Sequence, residues 1–436
     1  MHNSPSKLLA FSSISLKALI FALIFSVVGC STNSVTGESQ LSLVPKAQQI
    51  QMGEQNYGPS QQQQGGEYKV DPNLSAYVTS VGDRLAAFST NALPYEFVVL
   101  NNDVPNAWAL PGGKIAINRG LLVLLDDEAQ LAAVLGHEII HAAAEHGATQ
   151  MTNAQLIGAG LALGTIALGD NQNAQLIGAG AAIGAQAYQA HYGRTQELQS
   201  DFYGMDLMVK AGYEPQAAVE LQETFVKLSQ GQSSDMVNRL FASHPPSQER
   251  VDKNRAKAAK LASGKRNRSE FQKAIAQIKR DLPAYEKNQQ ALQALAKKDF
   301  NSALQLTEQA LKQQGDEALF YITKGQILAA QKDTKNAELA FKRAVEKNPN
   351  YFMGYLGLGL TQFSANNLSA AKSSLERSLN LMPTQIAVYR MGQIEEGAGN
   401  LTTALKYYEY AAASGGDIGA EAQAKLQKLQ SAPAAN

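Results

Sequence analysis

Five consecutive residues, His137-Glu138-Ile139-Ile140-His141, carry the clearest chemistry in this 436-residue chain. Residues four apart on an α-helix share a face, so two imidazoles at that spacing can grip one divalent ion, with a carboxylate beside them. With six histidines in the chain, chance would assemble this pattern only about 0.004 times per chain, so it is read as a site. The ion expected is Zn2+, one per chain. A catalytic zinc takes three protein ligands and keeps one position for water, so a third ligand must come from elsewhere.

Four residues stand near enough in order to supply it: Glu145, His146, His191 and Glu197. Metzincins place a histidine ten residues after the first, with glycine at the seventh, and those positions here are Gly147 and Ala144. His146, nine residues after His137, would turn about half a revolution from the ligand face on a continuous helix and is expected at a helix end or in solvent. Glu145 shares the face but lies a further turn along, which gives poor three-point geometry. His191 has no partner four residues away to orient it. Glu197 and Asp201 lie four apart in a helical segment leading into the apolar run Phe202 to Val209. That pair suits a gluzincin site, with Glu197 as ligand and Asp201 orienting a ligand imidazole through its second nitrogen.

These residues need a scaffold. The histidine helix can start at Asp126 or Asp127, whose carboxylate caps free N–H groups, and stop at Gly147. Before it, Leu74, Val78, Val81 and Leu85 recur at helical spacing. Tyr95 to Leu100, Ala107 to Leu110 and Lys114 to Ile117 read as strands, the last two joined across Pro111-Gly112-Gly113. After it, the string NAQLIGAG occurs at 153–160 and again at 173–180, which predicts a glycine-rich helical hairpin over 154–190, too short and too polar for two membrane spans. Residues 252–280 hold ten basic residues against Asp252 and Glu270, and read as a solvated connector helix.

The C-terminal third repeats at about 34 residues: aligning Gly325, Gly359 and Gly392 also aligns Ala337, Ala371 and Ala404, then Phe341, Leu375 and Tyr408. This resembles the tetratricopeptide repeat, in which small residues let two helices cross closely, and an earlier unit around Ala303 and Ala310 makes about four.

Lys plus Arg number 38 and Asp plus Glu 38, so no general attraction toward nucleic acid is expected. Lys7 and Lys17 precede an apolar run from Ala18 to Val28, too short to span a bilayer, that ends at Gly29-Cys30. The ending resembles a bacterial lipobox. Cys30 is the one cysteine of the chain, so it forms no intramolecular disulfide and is expected to carry the lipid; Ser31 after it implies sorting to the outer membrane, facing the periplasm. The expected organisation is a signal peptide over 1–29, a lipidated tether over 30–70, a metallopeptidase domain over 71–262, the basic connector over 263–282, repeats over 283–418 and a flexible tail over 419–436.

Five stretches together resemble the zinc metalloprotease family that includes HtpX, the CAAX prenyl protease and the mitochondrial Oma-type protease: Val35-Thr36-Gly37 with Gln40 to Val44, Asn106 to Gly113, His137 to His141, Glu197 to Asp201, and His244-Pro245-Pro246 with Glu249-Arg250. With the repeats added, the resemblance narrows to periplasmic β-barrel assembly-enhancing proteases, here as a lipoprotein. It implies a mainly α fold: an α+β zincin-like metallopeptidase domain with a small sheet, followed by an all-α tetratricopeptide-repeat superhelix. It implies zinc-dependent endopeptidase activity on unfolded or misassembled envelope proteins, with the repeats recruiting substrate or the outer-membrane assembly machinery. Glu138 would act as general base and His244 as oxyanion donor, with Arg250 a second donor candidate. The strand Ala107 to Leu110 would accept the substrate backbone, with Asn106 and Ala107 as candidate oxyanion or substrate contacts. The competing expectation is a repeat-bearing, chaperone-like scaffold lipoprotein whose zinc site is latent.

Overall fold

The structure, a computed structural model, describes residues 30–167, 193–230, 241 and 243–431. The leader 1–29, His191 and most of the expected glycine-rich hairpin lie outside the described residues.

The chain begins with strands β1 (Cys30–Thr32) and β2 (Ser39–Leu41), paired antiparallel. Helix α1 (Lys46–Gln63) follows, then α2 (Pro72–Ala86), which Asp71 caps with Pro72 at its first turn. Residues 30–70 are therefore not a flexible tether. Helix α1 lies so close to the β4/β5 turn that a Cβ on Gly53 would meet the Pro111 carbonyl oxygen at 2.0 Å, and the Tyr57 hydroxyl donates to the Ile115 carbonyl at 2.9 Å.

Strands β3 (Glu96–Leu100), β4 (Ala107–Leu110) and β5 (Lys114–Asn118) form a sheet in the order β3-β5-β4, with β3 parallel and β4 antiparallel to β5. The β4–β5 turn needs positive φ at Gly112 and Gly113 (81° and 87°), conformations that glycine adopts without strain. Successive side chains point to opposite faces. Ile115 and Ile117 join the main apolar core, while Ala116 packs with Tyr57 and Trp108.

A short helix α3 (Arg119–Leu122) leads to α4 (Glu128–Ala143), buried along its whole length and capped by Asp127, which accepts from the Gln130 amide at 2.9 Å. At its other end, the last carbonyls of a helix have no partner within it. Asn33 and Ser34 from the N-terminal segment and Asn91 supply donors: Ser34 Oγ and Asn91 Nδ2 each reach the Ala143 oxygen at 3.0 Å, and Asn33 Nδ2 reaches that of Ala144 at 3.1 Å. The helix stops four residues earlier than Gly147 suggests, because Glu145 adopts a left-handed conformation (φ 57°). Its carboxylate accepts from Gln40 and Gln49 at 3.3 and 3.1 Å. A new helix, α5 (His146–Ala167), starts immediately.

Helix α6 (Arg194–Lys210) crosses α4 where Gly136 meets Gly204, and α7 (Gln216–Gln230) and α8 (Gln248–Ala258) pack beside them. Helices α9 (Arg268–Ala274) and α10 (Ala276–Ala296) then enter the same core through Phe271, Ile275 and Ile278. The basic stretch 263–282 is thus no solvated connector: Arg266 pairs with Asp127 and Glu220, and an apolar face of α9–α10 is buried against the peptidase domain.

The repeats continue through α11 (Phe300–Gln313), α12 (Ala318–Ala330), α13 (Thr334–Lys347), α14 (Phe352–Ser364), α15 (Leu368–Leu381), α16 (Gln385–Gly397), α17 (Leu401–Ala413) and α18 (Gly416–Ser431). The aligned columns meet in space: a Cβ on Gly325, Gly359 or Gly392 would lie 2.7–2.8 Å from the side chains of Phe341, Leu375 and Tyr408 respectively. Residues 419–431, expected as tail, belong to α18, whose Ala422 and Leu426 pack against Tyr408.

The repeats are bolted to the peptidase domain. Ala310 and Phe320 belong to the core that contains α4. Asn101, after β3, donates to both Glu317 oxygens at 3.0 Å and accepts from Arg119 Nε at 2.8 Å. The Arg119 guanidinium lies 3.2 Å from the Tyr285 ring centroid. Gln62 closes the contact from α1, donating to the Asn350 carbonyl at 2.8 Å and accepting from the Phe352 amide at 2.9 Å.

Candidate metal centre

Helices α4 and α6 supply the donors. His137 and His141 project from one face of α4 with their Nε2 atoms 2.9 Å apart. From α6, Glu197 places Oε2 3.5 Å from His137 Nε2 and Oε1 3.3 Å from His141 Nε2. All three are nearly inaccessible to solvent. Ligand atoms around a tetrahedral zinc with bonds of about 2.0–2.1 Å sit roughly 3.3 Å apart, so the donor separations fit such an ion.

The other ring nitrogens point outward to hydrogen-bond partners, as ligating histidines require. His137 Nδ1 donates to Asp201 Oδ1 at 2.9 Å. His141 Nδ1 lies 3.0 Å from His146 Nδ1, and His146 Nε2 lies 3.1 Å from Gln199 Oε1. Of the two expectations for His146, a helix end or solvent, the first holds, since it opens α5, and the second does not, since it is buried. The half-revolution argument assumes one continuous helix, whereas the break at Glu145 restarts the rotation and turns His146 inward. Glu145 itself points to Gln40 and Gln49, away from the donors.

Arg250, expected as an oxyanion donor, is committed elsewhere. It makes three hydrogen bonds, two to Asp201 at 2.7 and 2.8 Å and one to the Pro245 carbonyl at 3.1 Å, and an ion pair with Glu197 Oε2 at 2.7 Å. A bidentate guanidinium of this kind orients Asp201, and through it His137. Arg250 holds the Asp201 carboxyl below its ordinary range despite burial.

Glu138 is buried, its Oε2 has no hydrogen-bond partner, and burial raises its pKa. A buried carboxylate oxygen without a partner beside two imidazoles and a second carboxylate is the donor chemistry of a metal-bound water site. His244 contributes a further nitrogen, with Nδ1 3.1 Å from Glu197 Oε1 and Nε2 3.6 Å from Glu138 Oε1. Ligand atoms from His137, His141, Glu197 and His244 all lie within 4.8 Å of one another. His244 thus stands at the fourth corner of the set.

Ala107, at the start of edge strand β4, lines the cavity that opens beside His137 and Glu138, whose apolar wall includes Val134, Met205, Met208, Leu221 and Phe225. Asn106 accepts from Ser243 Oγ at 3.4 Å, tying the strand to the His244 loop. Sequence alone weighs His146 as a ligand and sets it aside, and does not single out Gln199. The signal that could have found them is the left-handed turn at Glu145, which no local motif announces.

A metallopeptidase domain is the class that this fold and donor set define. Residues 72–258 match Peptidase family M48 and residues 288–352 match the tetratricopeptide repeat. The chain carries a peptidase family M48 domain followed by tetratricopeptide repeats. It is 30% identical over 232 residues to the beta-barrel assembly-enhancing protease of Escherichia coli K12, covering 52% of this chain and 47% of that protein. It is 32% identical to the mitochondrial metalloendopeptidase OMA1 of Schizosaccharomyces pombe (41% of this chain, 51% of that one) and 31% identical to metalloprotease YcaL of Escherichia coli K12 (40% and 65%). The matched region thus spans about half the length of the first two relatives. Among the described residues, no helix is long and apolar enough to cross a membrane.

Proposed function

We propose that the protein is a zinc-dependent endopeptidase of the bacterial envelope that cuts unfolded or misassembled envelope proteins. The observation that carries this reading is the convergence of His137, His141 and Glu197 around one point, with Glu138 beside it and its Oε2 without a hydrogen-bond partner.

A bound zinc supplies Lewis acidity toward a peptide carbonyl and acidifies water. Glu138 then takes the water proton on its carboxylate and returns it to the leaving amine. Ala107, at the start of edge strand β4 and beside the cavity, is placed to meet an extended substrate backbone. Arg250 and Asp201 keep His137 in place. His244, with Nδ1 3.1 Å from Glu197 Oε1 and Nε2 3.6 Å from Glu138 Oε1, stands where it can donate a hydrogen bond to a developing oxyanion.

Acylation at Cys30 would hold the domain close to the outer membrane on its periplasmic side, because Asn33 and Ser34 already contact the end of α4. The repeats recruit substrate or a partner such as the outer-membrane assembly machinery. The test is a zinc assay on the purified chain followed by digestion of a denatured outer-membrane barrel protein. Expected are about one zinc per chain, cleavage by the unsubstituted protein, and full zinc without cleavage for Glu138→Gln. A zinc-loaded protein that binds the denatured barrel and leaves it intact would establish the scaffold reading instead. Loss of lipid labelling in Cys30→Ala checks the anchor.

A further inference from the structure

We infer that His146 is a positioning residue that fixes which nitrogen of His141 faces the metal, and that Gln199 in turn fixes His146. The inference rests on the metal-site reading above.

Proton accounting gives the direction. His141 directs Nε2 toward His137 Nε2 and Glu197, so a metal there needs the Nε2 lone pair. A neutral imidazole has one N–H, and it must then sit on Nδ1. That N–H points at His146 Nδ1, 3.0 Å away, which accepts. The His146 proton is thereby placed on Nε2, 3.1 Å from Gln199 Oε1, an acceptor. The Ser200 hydroxyl touches the same His146 nitrogen at the longer distance of 3.4 Å. His146 itself is held by the Gln196 side chain, which donates to its carbonyl at 3.3 Å and accepts from Gln150 at 3.1 Å.

The chain of bonds crosses three elements, α4, α5 and α6, and both rings are buried, so neither can turn without breaking a bond that water does not replace. The two ligand histidines are therefore oriented by different chemistry. His137 leans on an anion, Asp201, itself braced by Arg250. His141 leans on a neutral ring and an amide.

The experiment measures zinc affinity of the full chain by competition with a chromophoric chelator for three proteins: unsubstituted, His146→Phe and His146→Asn. Phenylalanine keeps the ring volume and loses the acceptor, whereas asparagine keeps an acceptor oxygen where Nδ1 stands and loses the volume. Phe is expected to weaken zinc binding about 10–100-fold, the usual cost of losing a ligand's orienting partner, with most of that recovered by Asn. The reverse order would make His146 a space-filler, and equal affinities would show no role; either overturns the inference. A parent that takes up no zinc overturns the metal-site reading and this inference with it. Independently of any variant, nitrogen-15 NMR of the zinc-loaded parent should find the His141 proton on Nδ1 and the His146 proton on Nε2. A His146 proton on Nδ1 refutes the proposal.

Discussion

The crossing of α4 and α6 is held open to nothing larger than hydrogen, and this predicts how Gly204→Ala will behave. A Cβ at Gly204 would lie 3.0 Å from the His137 amide nitrogen, 3.1 Å from the Gly136 carbonyl carbon and 3.2 Å from its oxygen. Relaxed non-bonded contacts lie near about 3.5–4.0 Å, so the helices must separate by roughly half an ångström. The neighbours are helix backbone and cannot swing aside. Overpacking of this kind costs about 1–3 kcal/mol, and replacing glycine by alanine in a helix returns about 1 kcal/mol. The net loss expected is therefore about 0–2 kcal/mol, a small change in unfolding temperature. The functional effect should be larger. Glu197 and Asp201 ride on α6, and a site held to within about 0.5 Å does not tolerate that displacement. Zinc affinity should fall about tenfold, equivalent to about 1.4 kcal/mol. The double variant Gly136→Ala/Gly204→Ala sets two methyls in opposition and should lose more than the two single changes combined. Calorimetry on chelator-treated protein and chelator competition measure the two quantities. Unchanged zinc affinity in the double variant, with an unchanged or raised unfolding temperature, would refute the tight-crossing argument.

Arg250→Ala leaves Asp201 and Glu197 buried without their counter-charge and should cost about 3–5 kcal/mol by denaturant unfolding, while Arg250→Lys restores the charge but not the paired hydrogen bonds and recovers only part. Glu128, at the start of α4, accepts from Tyr77, Tyr213, Asn267 and Arg84, and these bonds outweigh burial and depress its pKa. Its stabilisation is present above the unfolded carboxyl value of about 4.3 and is lost as pH falls through the lower folded value. Glu128→Gln should therefore be less stable than the parent near neutrality, with the gap closing in acid; a gap constant with pH, followed by thermal unfolding, contradicts this. Truncation after Lys297 removes Ala310 and Phe320 from the main core and should lower the unfolding temperature of the peptidase domain, whereas truncation after Ser364, which keeps the Asn350 and Phe352 contacts with Gln62, should leave it nearly unchanged; equal unfolding temperatures would show the repeats to be independent.

The helix bearing His137 and His141 was legible because a period of four is a local property, and Glu197 with Asp201 because that pair repeats the same period. The repeat columns were legible because each glycine faces one bulky side chain of the next helix. What local pattern could not show is long-range. The left-handed turn at Glu145 is stabilised by Gln40 and Gln49, about a hundred residues away in sequence, and the end of α4 is capped by Asn33 and Ser34. The segment expected as a loose tether is what closes the metal helix. The basic stretch misled because its charge is plain in the sequence, whereas the burial of Phe271, Ile275 and Ile278 depends on a surface built by the rest of the domain.

The core shared by peptidase and repeats sets an order of events during synthesis. Its members run from Tyr68 to Phe320, so the surroundings of α4 stay incomplete until the first repeat has been made. A chain synthesised from its N-terminus carries His137, Glu138 and His141 long before it can hold them in register, and contacts spanning such separations form slowly. A chain that ends before the first repeat therefore presents His137, Glu138 and His141 on a helix whose packing is unfinished, so completion of the donor set is tied to a stretch of sequence that contributes no donor.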